Sequence, residues 1–244
     1  TPEGQSRRQM RFAPISLAAV LLLPVSPSHA SEPNTLTPAQ VAEGWTLLFD
    51  GNSLNGWRVY GRQGPPTAGW EITDACLRAI PKVKGEQLIT EKKFGDFELR
   101  WEWRIAPGGN SGIKYLVTED RPKAPGHEYQ MLDDDKHLDA FRGDSHKTAA
   151  FYDVLPPVAD KPLKPPGEWN SSGISIRGQR VEHWLNGRQV LAYDLDSEAL
   201  KNAISKSKFK AFPDFGKKSQ GHIMLTYHND ECWYRNIMIR ELNR

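Results

Sequence analysis

Apolar and polar positions alternate along most of the chain, and this alternation predicts a protein built mainly of short β-strands. The clearest segment is DFELRWEWRI, whose apolar positions share one face and are Phe97, Leu99, Trp101, Trp103 and Ile105. Because strand side chains point alternately to opposite faces, this face belongs to the core and the other is solvated or binds a ligand. Further strands are predicted at residues 57–60, 70–72, 76–80, 87–90, 112–118, 128–132, 149–153, 173–177, 180–185, 189–194, 222–227 and 233–239. So many short strands predict an all-β sandwich.

Turn and capping residues mark the ends of these elements. Asn186 and Gly187 in HWLNGRQVL tolerate the positive φ angles of a type I′ turn, so they predict a hairpin. Thr37 is predicted to cap a brief helix that has a proline in its first turn, where a missing N–H costs nothing. A second helix is predicted at about residues 197–208, with Asp196 as its cap. Both helices are expected at the periphery of the sheets.

The first thirty residues have the features of a secretory signal peptide. Three arginines precede an apolar run at residues 13–25, and the following SPSHA ends in a small residue. The run is shorter than the roughly 20 residues that a membrane-spanning helix needs. We therefore expect residues 1–30 to be cleaved and the protein to be exported to the periplasm or the extracellular space. A linker and short helix are predicted at residues 31–43, followed by a single domain at residues 44–243.

Charge and cysteine content narrow the classes of partner. The formal net charge is +2 at pH 7, and without the leader it is near zero. A neutral chain without a block of Lys and Arg gives no electrostatic footprint for nucleic acid or an anionic membrane, so we expect neither as a partner. The eight tryptophans suit stacking on a carbohydrate, although tryptophans also fill sandwich cores. Cys76 and Cys232 are too few for a cysteine-ligated zinc site and leave open one disulfide or two buried thiols.

The stretch GHEYQMLDDDKHLDAF crowds acids and a histidine around the end of a predicted strand. Three interpretations remain open: a charged turn in water, a divalent-metal site, or the acid and base groups of an enzyme. Glu128 and Gln130 share one strand face, so Glu128 lies either on a solvent face or in a cleft. Asp133 and His137 follow the strand end. His228 ends another predicted strand, where a side chain can reach the mouth of a pocket.

The same stretch raises the question of a metal cofactor. Oxygen ligands from neighbouring acids suit calcium or manganese, and a histidine favours a transition metal. Asp133 and His137 are the predicted ligands, although their spacing matches no EF-hand loop. No organic cofactor is predicted, because the chain has no Rossmann fingerprint and no phosphate loop.

Two further polar residues admit a structural role as well as a functional one. The glycines of PGGNSGIKY are expected to form a tight turn, and Asn110 beside them either belongs to a polar hairpin or bonds a sugar hydroxyl. His183 shares its strand face with two apolar residues, which favours a partly buried histidine with satisfied hydrogen bonds over a ligand.

Eight motifs occur in order along the chain: GWTLLFDGNSLNGW, FGDFELRWEWRI, GGNSGIKY, HEYQMLDD, FYDV, GEWNSSGI, VEHWLNG and YRNIMIREL. This set resembles the 3-keto-disaccharide hydrolase family, over nearly the whole mature chain. The resemblance implies a concanavalin A-like jelly-roll sandwich of two antiparallel sheets, in agreement with the strand pattern. It also implies an exported enzyme that cleaves glycosides whose C3 hydroxyl has been oxidised to a ketone.

The implied chemistry begins at C2 of the sugar. A ketone at C3 acidifies the C2 proton, so a base can form an enolate that expels the C1 substituent, and water then adds to the enone. The enolate oxygen needs a positive or hydrogen-bonding group, or a divalent metal, and the leaving group needs an acid. By resemblance the catalytic residues are Glu128, His228 and Asp133. The substrate-binding residues are Asn110, Gln130, Tyr152, His183 and Arg235, and the metal ligands are Asp133 and His137.

Two other functions stay open at this point. A non-catalytic carbohydrate-binding module can use the same sandwich, and it would bind a sugar without releasing a product. A conventional glycosidase is less favoured, because it needs two carboxyl groups on either side of the bond and only Glu128 stands out.

Overall fold

The computed structural model describes residues 32–212 and 214–242. The predicted signal peptide lies outside these residues. The helices are short: α1 (Pro38–Ala42), α2 (Glu198–Ser205) and two 3-10 turns (Leu138–Arg142 and Asp144–His146). Within the described residues, no helix is long and apolar enough to cross a membrane.

Strands dominate the described part of the chain. In chain order they are β1 (Trp45–Leu47), β2 (Trp57–Val59), β3 (Trp70–Thr73), β4 (Cys76–Ala79), β5 (Leu88–Thr90), β6 (Phe97–Ile105), β7 (Asn110–Val117), β8 (His127–Leu132), β9 (Asn170–Arg177), β10 (Arg180–Leu185), β11 (Arg188–Asp194), β12 (His222–Thr226) and β13 (Cys232–Glu241). The larger sheet has the order β11-β10-β9-β6-β13-β4-β3, with β1 also paired to β13. The smaller sheet has the order β2-β5-β12-β7-β8. Every pairing is antiparallel.

An aromatic core joins the two sheets. Trp101 and Trp103 of β6 are buried, as the alternation predicts. Tyr129 of β8 meets Trp101 edge to face with ring centroids 4.9 Å apart, and its hydroxyl lies 2.9 Å from Oγ of Ser172 in β9. The apolar faces of the two sheets therefore pack on each other, and the predicted jelly-roll sandwich with short helices is confirmed.

Local turn and cap signals are largely confirmed. Thr37 caps α1 in a reciprocal capping box with Gln40. Asn186 and Gly187 both have positive φ, at 47° and 82°, as a type I′ hairpin requires.

The second helix corrects its prediction in two respects. Ser197 caps α2, because its hydroxyl accepts a hydrogen bond from the N–H of Leu200 at 3.2 Å. Asp196 lies one residue too early, in the left-handed region with φ 59°. The helix ends at Ser205, three residues before the predicted end.

The predicted strand at residues 149–153 is replaced by an irregular segment with isolated bridges. Ala149 and Asp153 have positive φ angles, so the segment between them cannot continue as a regular strand. Its backbone still follows the edge of β8: the N–H of Ala149 donates to the carbonyl of Gln130 and that of Tyr152 donates to the carbonyl of Glu128. This pairing covers the edge of the smaller sheet.

Cys76 and Cys232 are both buried free thiols. Cys232 pairs with Ala79 across β13 and β4 and shares its face. Cys76 lies three residues from Ala79, so it points to the opposite face of the sheet. The two thiols are therefore separated by the sheet, and of the two alternatives the structure selects buried thiols.

Candidate active site

The outward face of the smaller sheet carries a cluster of ionisable side chains. Across β7 and β8, Lys114 lies opposite Glu128 and Gly112 lies opposite Gln130. Paired residues share a face, so these side chains project away from the core that Tyr129 enters. The two-residue period thus places a lysine and a carboxylate side by side on one surface.

His228 reaches the same surface from β12. Thr226, the last residue of β12, pairs with Gly112, and His228 follows two residues after the strand ends. Nε2 of His228 lies 3.8 Å from Oε1 of Glu128. The imidazole is more exposed than the carboxylate, with 39% of its side-chain surface accessible against 7%. The structure therefore brings Glu128 and His228 together, with the histidine on the solvent side.

The Glu128 carboxylate is buried without enough hydrogen bonds. Oε2 lies 3.6 Å from Nζ of Lys114, which is an ion pair but longer than a hydrogen bond. Within the described residues, Oε1 has no hydrogen-bond partner. Buried carboxylates are ordinarily satisfied, because an unmet bond costs about 1–3 kcal/mol or more. A buried oxygen that keeps its bonding capacity marks a place where a ligand can bind.

The surrounding charges decide the ionisation of Glu128. Burial alone would raise its pKa, but Lys114 and His228 outweigh burial and hold the pKa at about 2. The carboxylate is therefore ionised at neutral pH and contributes a fixed negative charge beside the imidazole.

Gly112 provides the space that Glu128 occupies. A methyl group added at Gly112 would lie 2.7 Å from Oε1 of Glu128, which is closer than real contacts allow. Two glycines of the PGGNSGIKY motif thus have different roles. Gly108 has φ 73° and forms the predicted turn, whereas Gly112 lies inside β7 and lets a neighbouring side chain approach.

Tyr152 and Lys208 form the next part of the site. Nζ of Lys208 lies over the Tyr152 ring, 4.1 Å from its centroid. Burial and a hydrogen bond to Asp139 raise the pKa of Tyr152 well above its usual value. Burial alone would raise the pKa of Asp139, but the hydrogen bonds from Tyr152 and Arg142 lower it. Tyr152 is therefore a neutral donor whose hydroxyl is held by a carboxylate.

Two of the predicted substrate-binding residues share the face of Glu128. Asn110 starts β7 opposite Leu132, and its Oδ1 is buried without a hydrogen bond inside the described residues. Gln130 lies between Glu128 and this end of the sheet, with Oε1 accepting a hydrogen bond from the N–H of Met131 at 3.2 Å. Both are nearly buried, so a ligand would meet them at the floor of the site.

Asp133 holds a backbone turn. Its Oδ2 accepts a hydrogen bond from the N–H of Gly108 at 2.8 Å, and Oδ1 accepts from the N–H groups of Asp135 and Lys136. Asp133 also follows Glu128 by five residue steps along an extended chain, which at about 3.3 Å per step is roughly 16 Å. The structure thus places Asp133 away from the Glu128 cluster, in contrast to its expected catalytic role.

The donors at Asp133 and His137 do not fit a divalent cation. His137 caps the first 3-10 turn, since its Nδ1 accepts a hydrogen bond from the N–H of Asp139 at 3.1 Å. In the part of the chain that the structure describes, no group of three His, Cys, Asp or Glu side chains is arranged to hold a metal ion. The side chains expected to bind metal instead fix the loop.

His183 lies in the core and corrects the substrate-binding role that its motif implied. It is fully buried, with Nε2 2.7 Å from the hydroxyl of Tyr115 and Nδ1 2.9 Å from the carbonyl oxygen of Ala149. Burial lowers its pKa to about 4. Both ring nitrogens have partners between the sheets, so the preference for a satisfied core histidine is confirmed.

Arg235 lies on the outer face of the larger sheet and is likewise separated from Glu128. Its Nε donates a hydrogen bond to Glu102 at 2.6 Å, and its guanidinium group lies 4.0 Å from the centroid of the Trp169 ring. The substrate-binding role expected for Arg235 is therefore corrected to a place in a surface ion pair.

A groove of about 620 Å³ lies on this same outer face, beside Glu98, Arg100 and Trp184. Its carboxylates have hydrogen-bond partners; Glu98, for example, accepts a hydrogen bond from Arg240 at 2.8 Å. None of the residues around Glu128 lines it. We place the candidate site at Glu128 and not in this groove because, among the described residues, none of the groove's carboxylates has a buried oxygen with an unmet hydrogen bond.

Two residues of the candidate site were missed at the level of sequence. Lys114 could have been predicted, because it lies in GGNSGIKY at an even spacing from Asn110 and therefore on the same strand face. Lys208 follows α2, far along the chain from Glu128, and no local pattern connects the two.

Comparison with known proteins identifies the family. A profile of the 3-keto-alpha-glucoside-1,2-lyase-like domain matches residues 44–240. The chain belongs to this family. A curated relative from Bacteroides thetaiotaomicron, named 3-keto-disaccharide hydrolase, is 35% identical over an alignment of 247 positions. The alignment covers 88% of this chain and 84% of the relative.

Solved structures of similar proteins agree with this family membership. A crystal structure of a candidate glycosyl hydrolase from Parabacteroides distasonis superposes with a TM-score of 0.77 at 34% identity, covering 86% of this chain and all of that one. A second candidate glycosyl hydrolase from the same organism has a TM-score of 0.63 at 29% identity, covering 81% of this chain and 99% of its own.

Proposed function

We propose that this protein is an exported glycoside hydrolase that cleaves 3-keto-glycosides at the smaller-sheet face around Glu128. Family membership supports the reaction class, since the Bacteroides relative is named for 3-keto-disaccharides. The observation that carries the proposal is the buried Glu128 carboxylate, which keeps an unmet hydrogen bond between Lys114 and His228. Export follows from the leader pattern of residues 1–30.

The first step is removal of the C2 proton. A carboxylate with a pKa near 2 is a weak base at neutral pH, whereas the accessible imidazole of His228 is suited to proton transfer. His228 therefore takes the proton, and the negative charge of Glu128 stabilises the imidazolium that results. The electrons of the C2–H bond form the C2=C3 double bond, and the π electrons of the C3 ketone move onto its oxygen.

The second step breaks the glycosidic bond. As the C3 ketone reforms, the C1–C2 bond becomes a double bond and the C1–O bond to the leaving group breaks. The imidazolium of His228 gives its proton to the leaving oxygen, so this group acts first as base and then as acid. Water finally adds across C1=C2, with hydroxyl at C1 and hydrogen at C2. The net change is hydrolysis to an alcohol and a 3-keto-sugar.

Substrate contacts follow from the same face. Asn110 and Gln130 offer amide groups on the floor, and Tyr152 offers a hydroxyl at the side. These neutral groups suit sugar hydroxyls, which both donate and accept hydrogen bonds.

Purified protein incubated with 3-keto-sucrose or a 3-keto-glucoside tests the proposal, with products followed by mass spectrometry. We expect release of the alcohol from the oxidised glycoside and none from the unoxidised one, with or without EDTA. Saturable binding with no product would instead support the carbohydrate-binding module. Loss of turnover in EDTA would restore the metal prediction.

A further inference from the structure

The loop after α2 holds Lys208 in a defined position. Its neighbours Ser207 and Phe209 are buried, while the Lys208 residue reaches the surface and its ammonium group packs on the Tyr152 ring, which removes part of its solvent. The Phe209 ring stacks on Phe215 with centroids 4.2 Å apart. The backbone N–H of Lys208 donates to Oδ2 of Asp153 at 2.7 Å. The backbone is thus anchored on both sides of Lys208, and the lysine side chain projects from the loop.

The Lys208 ammonium group lies over Tyr152, near enough to the candidate site for its charge to help lower the pKa of Glu128. The backbone N–H of Tyr152 donates to the carbonyl of Glu128 at 3.1 Å. Within the described residues, no carboxylate lies within ion-pair distance of Lys208, whereas Lys201 in α2 pairs with Glu198 at 3.0 Å. The ammonium group of Lys208 thus lies beside the site without a carboxylate partner among the described residues, so it remains available to a ligand.

The local electrostatics support this role. Desolvation lowers the pKa of Lys208, although the charge of Glu128 opposes the shift. A partly desolvated ammonium group interacts more strongly with an oxyanion than one in bulk water. Lys114 is less free for this purpose, because it already pairs with Glu128.

We propose that Lys208 binds the C3 oxygen of the substrate and stabilises the enolate that forms there, which makes it a catalytic residue of the reaction. This inference rests on the proposed function. Lys208 donates a hydrogen bond and keeps its proton throughout. Negative charge accumulates on the C3 oxygen as the C2 proton moves to His228, and it leaves that oxygen when the C1–O bond breaks.

Exchange of the C2 proton for deuterium isolates this step. A 3-keto-C-glycoside cannot lose its C1 substituent as an alkoxide, so proton NMR in D2O reports enolate formation without cleavage. We expect exchange by Lys208→Met to be slower by about 10²-fold, the usual effect of removing one oxyanion donor. Lys208→Arg should retain an intermediate rate. Lys210→Met is the matched control, because Lys210 is an exposed lysine of the same loop, and it should exchange like wild type.

The pH profile separates this role from a structural one. Activity of wild type should fall at alkaline pH as Lys208 loses its proton, and Lys208→Arg should move this fall to higher pH because a guanidinium stays protonated. Equal unfolding temperatures for the three variants exclude a folding defect.

The possible outcomes distinguish the two proposals. Equal exchange by Lys208→Met and wild type overturns the role of Lys208 and leaves the proposed function intact. Exchange by wild type that depends on Lys208, without cleavage of any 3-keto-glycoside, upholds the role and overturns the proposed function. A wild-type protein that neither exchanges nor cleaves overturns both.

Discussion

The two outward faces of the sandwich both carry charged residues, but they use them differently. On the larger sheet, Arg235 donates to Glu102 at 2.6 Å and stacks on Trp169, so this carboxylate has a close partner. On the smaller sheet, Glu128 is more deeply buried and its nearest cations stay at 3.6 and 3.8 Å. A buried carboxylate with unmet bonding capacity, and not the number of charges, therefore distinguishes the candidate site. Among the described residues of the larger sheet, the buried side-chain atoms without a partner are the cationic Nε groups of Arg104 and Arg240.

The sharpest test of this comparison is to remove one carboxylate from each face. Glu128→Gln and His228→Gln should each reduce kcat on a 3-keto-glucoside by about 10²–10⁴-fold, because each removes part of the proton-transfer pair. Glu102→Gln on the larger sheet should leave kcat within about twofold, since surface ion pairs contribute little. Steady-state kinetics and circular dichroism check activity and folding. A Glu128→Gln protein with wild-type kcat would remove Glu128 from the mechanism.

Gly112 in β7 and Gly173 in β9 allow the two sheets to be compared by adding a methyl group to each. A methyl group at Gly112 would displace Glu128, whereas one at Gly173 in β9 would come no closer than 3.3 Å to the carbonyl oxygen of Leu99. Gly112→Ala should lower kcat/KM by about 10–10²-fold, because small displacements of a catalytic group have effects of this size. Gly173→Ala should affect mainly stability. Equal activity losses in both variants would contradict the spatial role of Gly112.

The acidic bend should contribute to stability and not to turnover. Asp133→Ala leaves the N–H groups of Gly108 and Asp135 without their side-chain acceptor, which should cost about 1–3 kcal/mol in the free energy of unfolding. Urea unfolding measures this loss. At a temperature where the variant is folded, kcat should stay near wild type, and addition of calcium or manganese should not restore stability. A metal-dependent rescue would return Asp133 to a metal site.

The depressed pKa of Glu128 predicts a dependence of stability on pH. Because the folded-state pKa, at about 2, lies below the unfolded value, ionised Glu128 contributes stability above about pH 4.3, and this contribution is lost as pH falls towards 2. Urea unfolding from pH 7 to pH 2 should show a smaller decline in Glu128→Gln than in wild type. Lys114→Met should raise the pKa of Glu128, which carbon NMR of the carboxyl group detects. An unchanged pKa would mean that Lys114 does not set the ionisation.

The smallest effect is expected on the larger sheet. Arg235→Gln removes a half-buried surface ion pair and a ring contact, so it should change the free energy of unfolding by no more than about 1 kcal/mol. The KM for a 3-keto-glucoside should not change, because Arg235 lies on the opposite sheet from Glu128. A tenfold rise in KM would assign Arg235 to the substrate after all.

The alternation of the sequence predicts the sandwich and the shared face of Glu128 and Gln130, because both depend on the local two-residue period. It does not say which sheet a strand joins or which face that sheet buries. His183 and Arg235 come from recognisable motifs, yet one lies between the sheets and the other lies outside the larger sheet. Lys208 reaches the site only through long-range packing of its loop, which leaves no trace in local spacing.

The most direct test of the account follows the hydrogen at C2 during cleavage in D2O. We expect the first-formed 3-keto-sugar to carry one solvent deuterium at C2, measured by mass spectrometry before the product exchanges unaided, and we expect Glu128→Gln to form almost none of it. A product that retains its original C2 hydrogen would contradict proton removal at C2 and point to direct displacement at C1.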